Sequence, residues 1–428
     1  MILPYIVSFI AFFAVVPFDN AVVTLYKSET VSSVIMRVLQ FFVLGYAFYI
    51  LLKKKPFTKS ETKILIRYTV YFVFIAFLNA WATVFSSKDL SFDTVKTIAI
   101  RTMSMVCIWG FLVCCAYLTK DRRIYYGLSS VMLFLMLLSV AVYVISPSHA
   151  QYLESAGNYS FKGIAMNRNT YMVYAISFIL GAAVILYDRM EFDKKSFKEI
   201  LKSKKNIILL VLTALFVLFA LATVFITKST TGRLLTLGII ALIVLFSVWK
   251  KPFPMWVVPA VYAAVWLVIG VIGIDKIIPA GIFEKIFHKS VTLSFRTVLW
   301  EAAKNLSLYS VFTGFGFDNT YLADMHLVAS AGTFINDPHN SVLYMLITQG
   351  ILGFAAFLYM ICTPLIKAGR VRNNRIITYL MIFIAIMLLR GLVESVFQYS
   401  DMILWAMVVA VEFEAEKENR KDVTVEDV

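Results

Sequence analysis

Charge is scarce in this chain of 428 residues. Only 15% of its residues are charged, whereas 60% are hydrophobic and the mean hydropathy is +0.81. Soluble domains carry about 25% charged residues. The apolar residues form runs long enough to cross a bilayer, which takes roughly 17–25 residues, and the period-two alternation of a membrane-spanning strand is absent. These features exclude an ordinary soluble domain and predict a multi-pass helical membrane protein.

Cysteine and metal-binding patterns are also rare. The four cysteines all lie within apolar runs and form no Cys-x-x-Cys pair, so we expect them to be small buried hydrophobic residues. The best candidate for a metal motif is the weak pair Asp324 and His326. We therefore expect no metal and no other cofactor. The net charge of +14 does not indicate nucleic acid as a partner, because the basic residues lie mainly in short loops between apolar runs.

Twelve apolar runs predict an all-α integral membrane protein with about twelve transmembrane helices. The predicted spans are residues 4–23, 31–52, 64–85, 94–118, 124–145, 169–187, 207–226, 232–249, 253–272, 338–366, 376–397 and 402–413. The predicted organisation is nine transmembrane helices in residues 1–272, a long loop at 273–337, three more transmembrane helices in 338–413, and a tail at 414–428. Within the loop, residues 293–308 have the pattern of an amphipathic helix.

The distribution of basic residues predicts the orientation in the membrane. One set of connections contains 24 lysines and arginines, and the short connections of the opposite set contain six. By the positive-inside rule the richer set is cytoplasmic, which places both termini in the cytoplasm. Counting the spans then makes 273–337 an extracytoplasmic loop before the tenth span.

Ionisable residues within the predicted spans are costly and indicate function by default. Five of them fall in the outer halves of their spans: Arg37, Lys96, Arg101, Arg390 and Glu394. This shared position favours a common anionic partner. Arg390 and Glu394 are four residues apart, so a simple ion pair on one helix is the alternative. Arg67 lies near the inner end of its span, and we expect it to snorkel to the interface.

Three predicted spans begin with polar helix-start signals on the outer side. One begins at Asn169, one at the Ser229–Arg233 segment, and one at the run from Asp337 to Ser341. Each directs the positive end of its helix dipole outwards, where anions are stabilised. If these helix starts converge, they form a site for a diphosphate, which arginine binds well in a bidentate manner.

The third helix start contains a histidine. Asp337 is a suitable N-cap and Pro338 suits the first helical position, which would put His339 in the first turn. The helix dipole there favours the neutral imidazole, which accepts a proton. A plain interfacial cap residue is the alternative for His339, and Glu301 and Asp318 are alternative bases.

Five motifs occur in order along the chain. They are FKGIAMNRN ending at Asn169, TKSTTGR ending at Arg233, SFRTVLWEAA containing Arg296 and Trp300, GFGF at 314–317, and HNSVLYMLITQGILG at 339–353. Together they resemble the O-antigen ligase and O-antigen polymerase superfamily, whose members have about a dozen spans and a long periplasmic loop that ends in histidine followed by asparagine. The resemblance covers roughly residues 161–353 in motifs, and hydropathy alone elsewhere.

The resemblance implies an inverting, metal-independent membrane glycosyltransferase. Its donor would be a glycan on undecaprenyl diphosphate, and its acceptor another glycan or lipid A–core. The protein would lie in the bacterial cytoplasmic membrane with its active site on the outer face, and a flippase and a chain-length regulator are further candidate partners besides the bilayer itself. Diphosphate departure needs charge stabilisation by arginine or lysine where no metal does so.

The matching positions imply roles for three residues. Arg233 and Arg296 would bind the diphosphate, and His339 would activate the acceptor hydroxyl as a general base. The remaining candidates for substrate binding are Arg37, Arg101, Arg390, Asn169, Asn340 and Trp300. Trp300 would stack on a sugar or anchor the loop at the lipid headgroups, and a solvated helix face is the alternative for Arg296.

Two other functions remain open from the sequence. A secondary transporter or a lipid flippase also has about twelve spans, but no similarity between the two halves is visible and the largest loop is external and late. Within the enzyme class, polymerase and ligase differ in the acceptor, and we favour the polymerase because repeat-unit polymerases are numerous and divergent.

Overall fold

The structure, a computed structural model, describes residues 3–14, 29–86, 91–153, 159–165, 168–190, 192, 197–249, 253–268, 296–317, 338–371, 374–394 and 401–426. These residues are mostly helical. The helices longer than one turn are α1 (Leu3–Phe13), α2 (Glu29–Leu52), α3 (Lys59–Ser86), α4 (Phe92–Thr119), α5 (Arg123–Ile145), α6 (Arg168–Met190), α7 (Lys204–Ile226), α8 (Thr230–Trp249), α9 (Val257–Trp266), α10 (Arg296–Ser307), α11 (Ser341–Arg370), α12 (Arg375–Arg390) and α13 (Met402–Glu426). Pro147–Ala150 and Phe197–Ile200 are one-turn helices, and Leu308–Ser310 is a 3₁₀ turn.

Seven helices in the described part of the chain are long and apolar enough to cross a membrane: α3, α4, α5, α6, α7, α8 and α11. This confirms a multi-pass helical membrane protein. The other five predicted spans correspond to helices that are shorter or more polar over the described residues, namely α1, α2, α9, α12 and α13. The count of twelve spans, the domain boundaries and the loop topology therefore stay predictions.

Helix α6 is the centre of the bundle. It packs against α5, α7, α8 and α12. Of the residues in its apolar stretch, 78% are buried by protein, compared with 17% in the apolar stretch of the peripheral α7. Helix α2 packs on α4, and α1 packs on α5. The small residue Gly181 lets α6 approach α5 closely, since a Cβ there would lie 3.0 Å from the Tyr125 carbonyl oxygen. The middle of α6 is thereby packed directly against the backbone of α5.

A short hairpin connects α5 to α6. Strands β1 (Gln151–Leu153) and β2 (Tyr159–Phe161) pair antiparallel, with Gln151 opposite Phe161. Gly163 follows with a φ of 60°, and a Cβ at this position would lie 2.4 Å from the Cβ of Ser139. Only glycine fits this turn, because it combines a left-handed backbone with close packing. The turn after the hairpin is therefore packed tightly against α5.

Helix α11 is interrupted at Gly350, which has a φ of 61° and a ψ of −167°. In an uninterrupted helix, the N–H groups of residues 351 and 352 would donate to the carbonyl groups of residues 347 and 348. At the break these four groups need other partners. An unsatisfied backbone group within a membrane costs several kcal/mol.

Residues 311–316, the bridging segment, supply those partners. The four hydrogen bonds run from Ile351 N to Val311 O (2.8 Å), from Leu352 N to Phe312 O (3.2 Å), from Phe315 N to Ile347 O (2.8 Å) and from Gly316 N to Thr348 O (2.8 Å). Gly314 and Gly316 both have a positive φ, and a Cβ on either would come within 2.4 Å of a backbone or hydroxyl atom. The predicted Gly-x-Gly segment is thus inserted into the break of α11.

Ion pairs attach α13 to neighbouring helices. Arg67 of α3 pairs with Glu412 of α13, whose side chain is 1% exposed. The expectation that Arg67 snorkels was wrong, because a buried carboxylate lies within its reach. Further along α13, Arg420 Nη2 lies 3.0 Å from Glu61, and Glu61 also pairs with Lys120 at 2.8 Å. These pairs fasten the C-terminal half of α13 to the ends of α3 and α4.

The cysteines follow the sequence expectation in three of four cases. Cys107, Cys114 and Cys115 are buried in α4. Cys362 of α11 is exposed on the surface of the protein, so the expectation that it is buried was wrong. Its position beside an apolar cavity explains why an apolar run contains it.

Candidate active site at the start of α11

Asn340 is the N-cap of α11. Its side-chain oxygen accepts hydrogen bonds from the N–H groups of Val342 (3.1 Å) and Leu343 (3.2 Å), and its backbone is extended. The predicted cap at Asp337 and the first helical position at Pro338 were therefore wrong, since the helix begins three residues later. Asparagine caps as well as aspartate does, so the sequence offered two equivalent starts. Asp337 itself lies outside the described residues.

His339 lies immediately before this cap and not in the first turn. Its φ is 49°, a left-handed conformation that histidine adopts more readily than most residues. Its side chain is 35% exposed, and its Nδ1 lies 3.7 Å from Oε2 of Glu394. The imidazole is thus accessible on one side and faces a carboxylate on the other.

Glu394 reaches His339 because the turn after α12 is tied to the start of α11. Ser341 N donates to Gly391 O at 2.8 Å, and the Ser341 hydroxyl donates to Glu394 O at 2.7 Å. Asn340 Nδ2 donates to Leu392 O at 3.3 Å. The Glu394 side chain is 10% exposed. Its carboxylate is therefore held at a fixed position relative to the histidine.

The start of α6 contacts the Glu394 carboxylate directly, and the start of α8 is linked to it through Asn169. Asn169, in the first turn of α6, donates from Nδ2 to Oε1 of Glu394 at 2.5 Å. The Ser229 hydroxyl donates to Asn169 Oδ1 at 2.6 Å and accepts from Gly232 N at 3.0 Å, so Ser229 caps α8. The predicted start at Ser229–Arg233 is confirmed. The three polar helix starts therefore meet at one end of the bundle, where α12 ends.

Arg233 lies in the first turn of α8, next to Gly232. Its guanidinium carbon lies 5.3 Å from the centroid of the Phe225 ring, and Nη2 donates to Phe225 O at 2.8 Å. Its Nε has no hydrogen-bond partner among the described residues. The side chain is half-buried, and its Nη2 atom is held by the Phe225 carbonyl oxygen. A guanidinium has five N–H donors, so others can bind an anion.

Arg390 is the last residue of α12, and its carbonyl oxygen accepts from Glu394 N at 3.1 Å. It is 7% exposed, and its Nη1 lies 4.0 Å from Oδ2 of Asp401. Burial raises the pKa of Asp401 to about 6, although the charge of Arg390 and the hydrogen bond from Leu404 N act to lower it. Arg390 Nε has no hydrogen-bond partner among the described residues. Arg390 is therefore a buried cation with incomplete pairing.

Helix α10 carries Arg296 and Trp300 and confirms the amphipathic helix predicted in the loop. Trp300 is 5% exposed and lies in an apolar cluster with Leu343 and Ile347 of α11. The indole is thus packed between α10 and α11, a position that does not favour the stacking on a sugar or the anchoring at headgroups that the sequence predicted. Arg296 begins α10, but its side chain lies outside the described residues.

Arg37 and Arg101 occupy a different part of the molecule. Both are exposed, Arg37 on α2 and Arg101 on α4, and Arg37 Nη1 donates to Ser104 Oγ at 3.4 Å. Over the described residues, no contact joins either arginine to the cluster around His339. The structure therefore does not bring these two candidates together with the other site residues.

An apolar cavity of about 750 Å³ lies between α9, α11 and α12. Its lining includes Val342, two residues after the Asn340 cap, and continues along α11 to Gly369 near the opposite end. Almost all of its lining side chains are apolar, among them Phe357 and Met381. The cavity therefore extends from the polar cluster along the length of α11.

These residues together provide a half-exposed imidazole and a buried carboxylate at joined helix starts, one of which carries Arg233 in its first turn. An imidazole can accept a proton, and a guanidinium at a helix start can stabilise negative charge. Among the predicted alternatives, Asp318, Asp324 and His326 lie outside the described residues, as does the side chain of Glu301.

Residues 214–358 match the family model described as O-antigen ligase. This match confirms the predicted resemblance to the O-antigen ligase and polymerase superfamily. The chain is similar to O-antigen ligases over this region, which runs from α7 to the first half of α11 and covers about a third of the chain. No curated protein matches the chain. The family match indicates a membrane enzyme of the glycosyltransferase type.

The match includes Arg233, Arg296 and His339 but neither Asn169 nor Glu394. The sequence marks Glu394 as an acid within an apolar run but does not give its contacts. The signal is the cost of an ionisable group in a membrane span, which such a group offsets by pairing with a partner. The identity of that partner required the fold.

Proposed function

We propose that this protein is a repeat-unit polymerase for a bacterial surface polysaccharide. It transfers a glycan from an undecaprenyl-diphosphate donor to a sugar hydroxyl of the acceptor, with inversion and without a metal, at the outer face of the cytoplasmic membrane. The observation that carries the proposal is the contact of Glu394 with both Asn169 and His339, since it joins the helix starts around one imidazole. The family match supports the reaction class.

In the proposed reaction, His339 accepts the proton of the acceptor hydroxyl as its oxygen bonds to the anomeric carbon. The bond from that carbon to the diphosphate oxygen breaks, and the electron pair leaves with the lipid diphosphate. A single displacement from the face opposite the leaving group inverts the anomeric centre. General base catalysis of this kind contributes typically 10²- to 10⁴-fold.

Arg233 and Arg296 are proposed to bind the diphosphate, with Arg390 and the amide of Asn169 as further contacts. Arg233 is suited to this role because Phe225 holds its guanidinium beside the first turn of α8, where backbone N–H groups also favour anions. Asn340 acts by capping α11 and so positioning His339. Arg37, Arg101 and Trp300 are left out of this proposed pocket because of where they lie.

The carrier lipid is proposed to lie in the apolar cavity along α11. The cavity includes Val342, close to the cap, so a chain within it would present its diphosphate towards His339. Burial of an isoprenoid chain against apolar side chains stabilises binding by about 25 cal/mol per Å² of surface removed from water.

The test is transfer by the purified protein in nanodiscs with a lipid-diphosphate repeat-unit donor and no ion gradient. We expect products of increasing length and release of lipid diphosphate, with no inhibition by chelators. His339→Ala should insert normally and form no product. Product of normal length from that variant, or inhibition by chelator that Mg²⁺ reverses, would contradict the mechanism.

The second candidate is an O-antigen ligase, which the description of the matched family favours. Its site and donor would be the same, but the acceptor would be lipid A–core. Adding lipid A–core to the same assay separates the two functions. Transfer to lipid A–core with no extension of the lipid-linked repeat unit would replace the polymerase by the ligase.

A further inference from the structure

A directed chain of hydrogen bonds runs from the first turn of α8 to Glu394. The N–H of Gly232 donates to the Ser229 hydroxyl (3.0 Å), and that hydroxyl donates to Asn169 Oδ1 (2.6 Å). The Asn169 amide then donates to Glu394 Oε1 (2.5 Å). All three hydrogen bonds run in the same direction, from Gly232 towards Glu394, so the series ends on an oxygen of Glu394 that accepts. A carboxylate is an acceptor at both oxygens only when it is ionised.

The second oxygen of that carboxylate faces the histidine. Glu394 Oε2 lies 3.7 Å from His339 Nδ1, and the backbone at both residues is fixed by the contacts of Ser341 and Asn340. A negative charge at this distance favours a proton on Nδ1 and stabilises the imidazolium. The Nε2 atom is then left as the proton acceptor, on the ring of a side chain that is 35% exposed.

We propose that Glu394 is the positioning residue of His339. It selects the tautomer with the proton on Nδ1, raises the basicity of Nε2, and connects the base to the helix start that carries Arg233. This inference rests on the proposed function. Asn169 and Ser229 in turn hold the carboxylate in its orientation, so one chain of contacts couples the diphosphate side of the site to the base.

Contacts from two helices hold the Glu394 carboxylate. It accepts from Asn169 at one oxygen and faces His339 with the other. The charged form is therefore supported from the side of α6 and the side of α11. Desolvation of a carboxylate without such support would be costly.

The test compares the wild-type protein with Glu394→Gln and Glu394→Asp in the nanodisc transfer assay across pH. Glutamine keeps the size and an acceptor oxygen but removes the charge. We expect Glu394→Gln to lower kcat/KM by about 10²-fold or more. The acidic limb of the pH profile should move to lower pH, because loss of the carboxylate lowers the pKa of the imidazole. Glu394→Asp should retain the wild-type limb in part.

A matched control is Glu412→Gln, which removes the charge of another buried carboxylate, the one paired with Arg67. It should lower the unfolding temperature without moving the acidic limb. A uniform fall in rate of Glu394→Gln with an unchanged limb would show a structural role only and overturn the inference. If Glu394→Gln does not fold, Asn169→Ser replaces it in the test. This variant keeps the Glu394 carboxylate but removes the amide that donates to it, so the acidic limb should shift by a smaller amount.

Absence of transfer by the wild type would instead contradict the proposed function.

Discussion

The side-chain amide of Asn169 donates to the Glu394 carboxylate across 2.5 Å, although 225 residues separate them in the chain. The contact joins the start of α6 to the turn that ends α12. Neither residue lies in the segment that matches the family model, yet Glu394 contacts Asn169 and also faces the histidine within that segment. The candidate site thus depends on helix ends from both halves of the chain, and the following predictions test how those ends act.

Two asparagine N-caps, one beside the candidate site and one away from it, separate an effect on stability from an effect on transfer. Asn340 caps α11 beside His339, and Asn374 caps α12 through a 3.1 Å hydrogen bond from Ile377 N. Each substitution to alanine should cost about 1 kcal/mol of stability. Only Asn340→Ala should also reduce transfer, because it releases His339. Unfolding temperature and transfer rate are measured together, and equal effects of both variants on transfer would contradict the positioning role.

Arg233→Lys tests the planar guanidinium. Lysine keeps the charge but loses the fork that binds phosphate oxygens in pairs, so we expect a rise in KM for the donor and a lower kcat/KM. The control is Arg189→Lys, since Arg189 makes a similar ring contact with Tyr126 at 5.4 Å but lies at the other end of α6. Full activity of Arg233→Lys would make this residue a positional charge only.

Gly350→Ala tests the break in α11. The added Cβ would lie 2.3 Å from the Phe312 carbonyl group in a left-handed conformation, so we expect a large loss of folded protein after purification. Gly238→Ala in α8 is the control, because its nearest neighbour would be 3.8 Å away. There, alanine should be neutral or stabilise the helix by up to about 1 kcal/mol. Detergent-based thermal unfolding separates the two, and equal stability would refute the inserted junction.

Glu416→Gln tests the ion pairs of α13. Burial acts to raise the pKa of Glu416, but hydrogen bonds from Lys367 and Ser60 and the charges of Lys367 and Arg420 outweigh it and keep the pKa below its ordinary value. A lowered pKa contributes stability above the unfolded pKa and loses it as pH falls through the folded pKa. The variant should therefore unfold at a lower temperature than wild type at neutral pH, with a gap that closes below about pH 4.5.

The control for this pH series is Asp121→Asn. Asp121 is 63% exposed and lies 3.4 Å from Arg123. Exposed pairs contribute little to stability, so this variant should follow the wild-type curve. A gap for Glu416→Gln that is constant with pH would show that packing and not charge is responsible.

Much of the helical architecture was predictable because bilayer-length apolar runs and polar starts are local signals. The runs that became α3 to α8 end within a few residues of their predicted bounds, and Ser229 caps α8 as expected. The start of α11 was misplaced because Asp337 and Asn340 are both good caps, and only the hydrogen bonds to Val342 and Leu343 distinguish them.

Contacts between distant elements were not predictable from one sequence. The partner of Glu394 and the partner of Arg67 both lie on helices remote in the chain. The bridging segment inserts by backbone hydrogen bonds, which leave no side-chain pattern beyond Gly314, Gly316 and Gly350. Those glycines were visible as motifs, but their common role required coordinates.

The insertion of residues 311–316 into α11 restricts how this protein can be engineered. Exchange of the loop between relatives, for instance to change acceptor choice, would pair a foreign bridging segment with a resident helix break. Mismatched geometry at that junction would leave backbone donors and acceptors of α11 without their partners. A chimaera should therefore be cut before α10 and after α11, so that the segment and the helix are transplanted as one cassette.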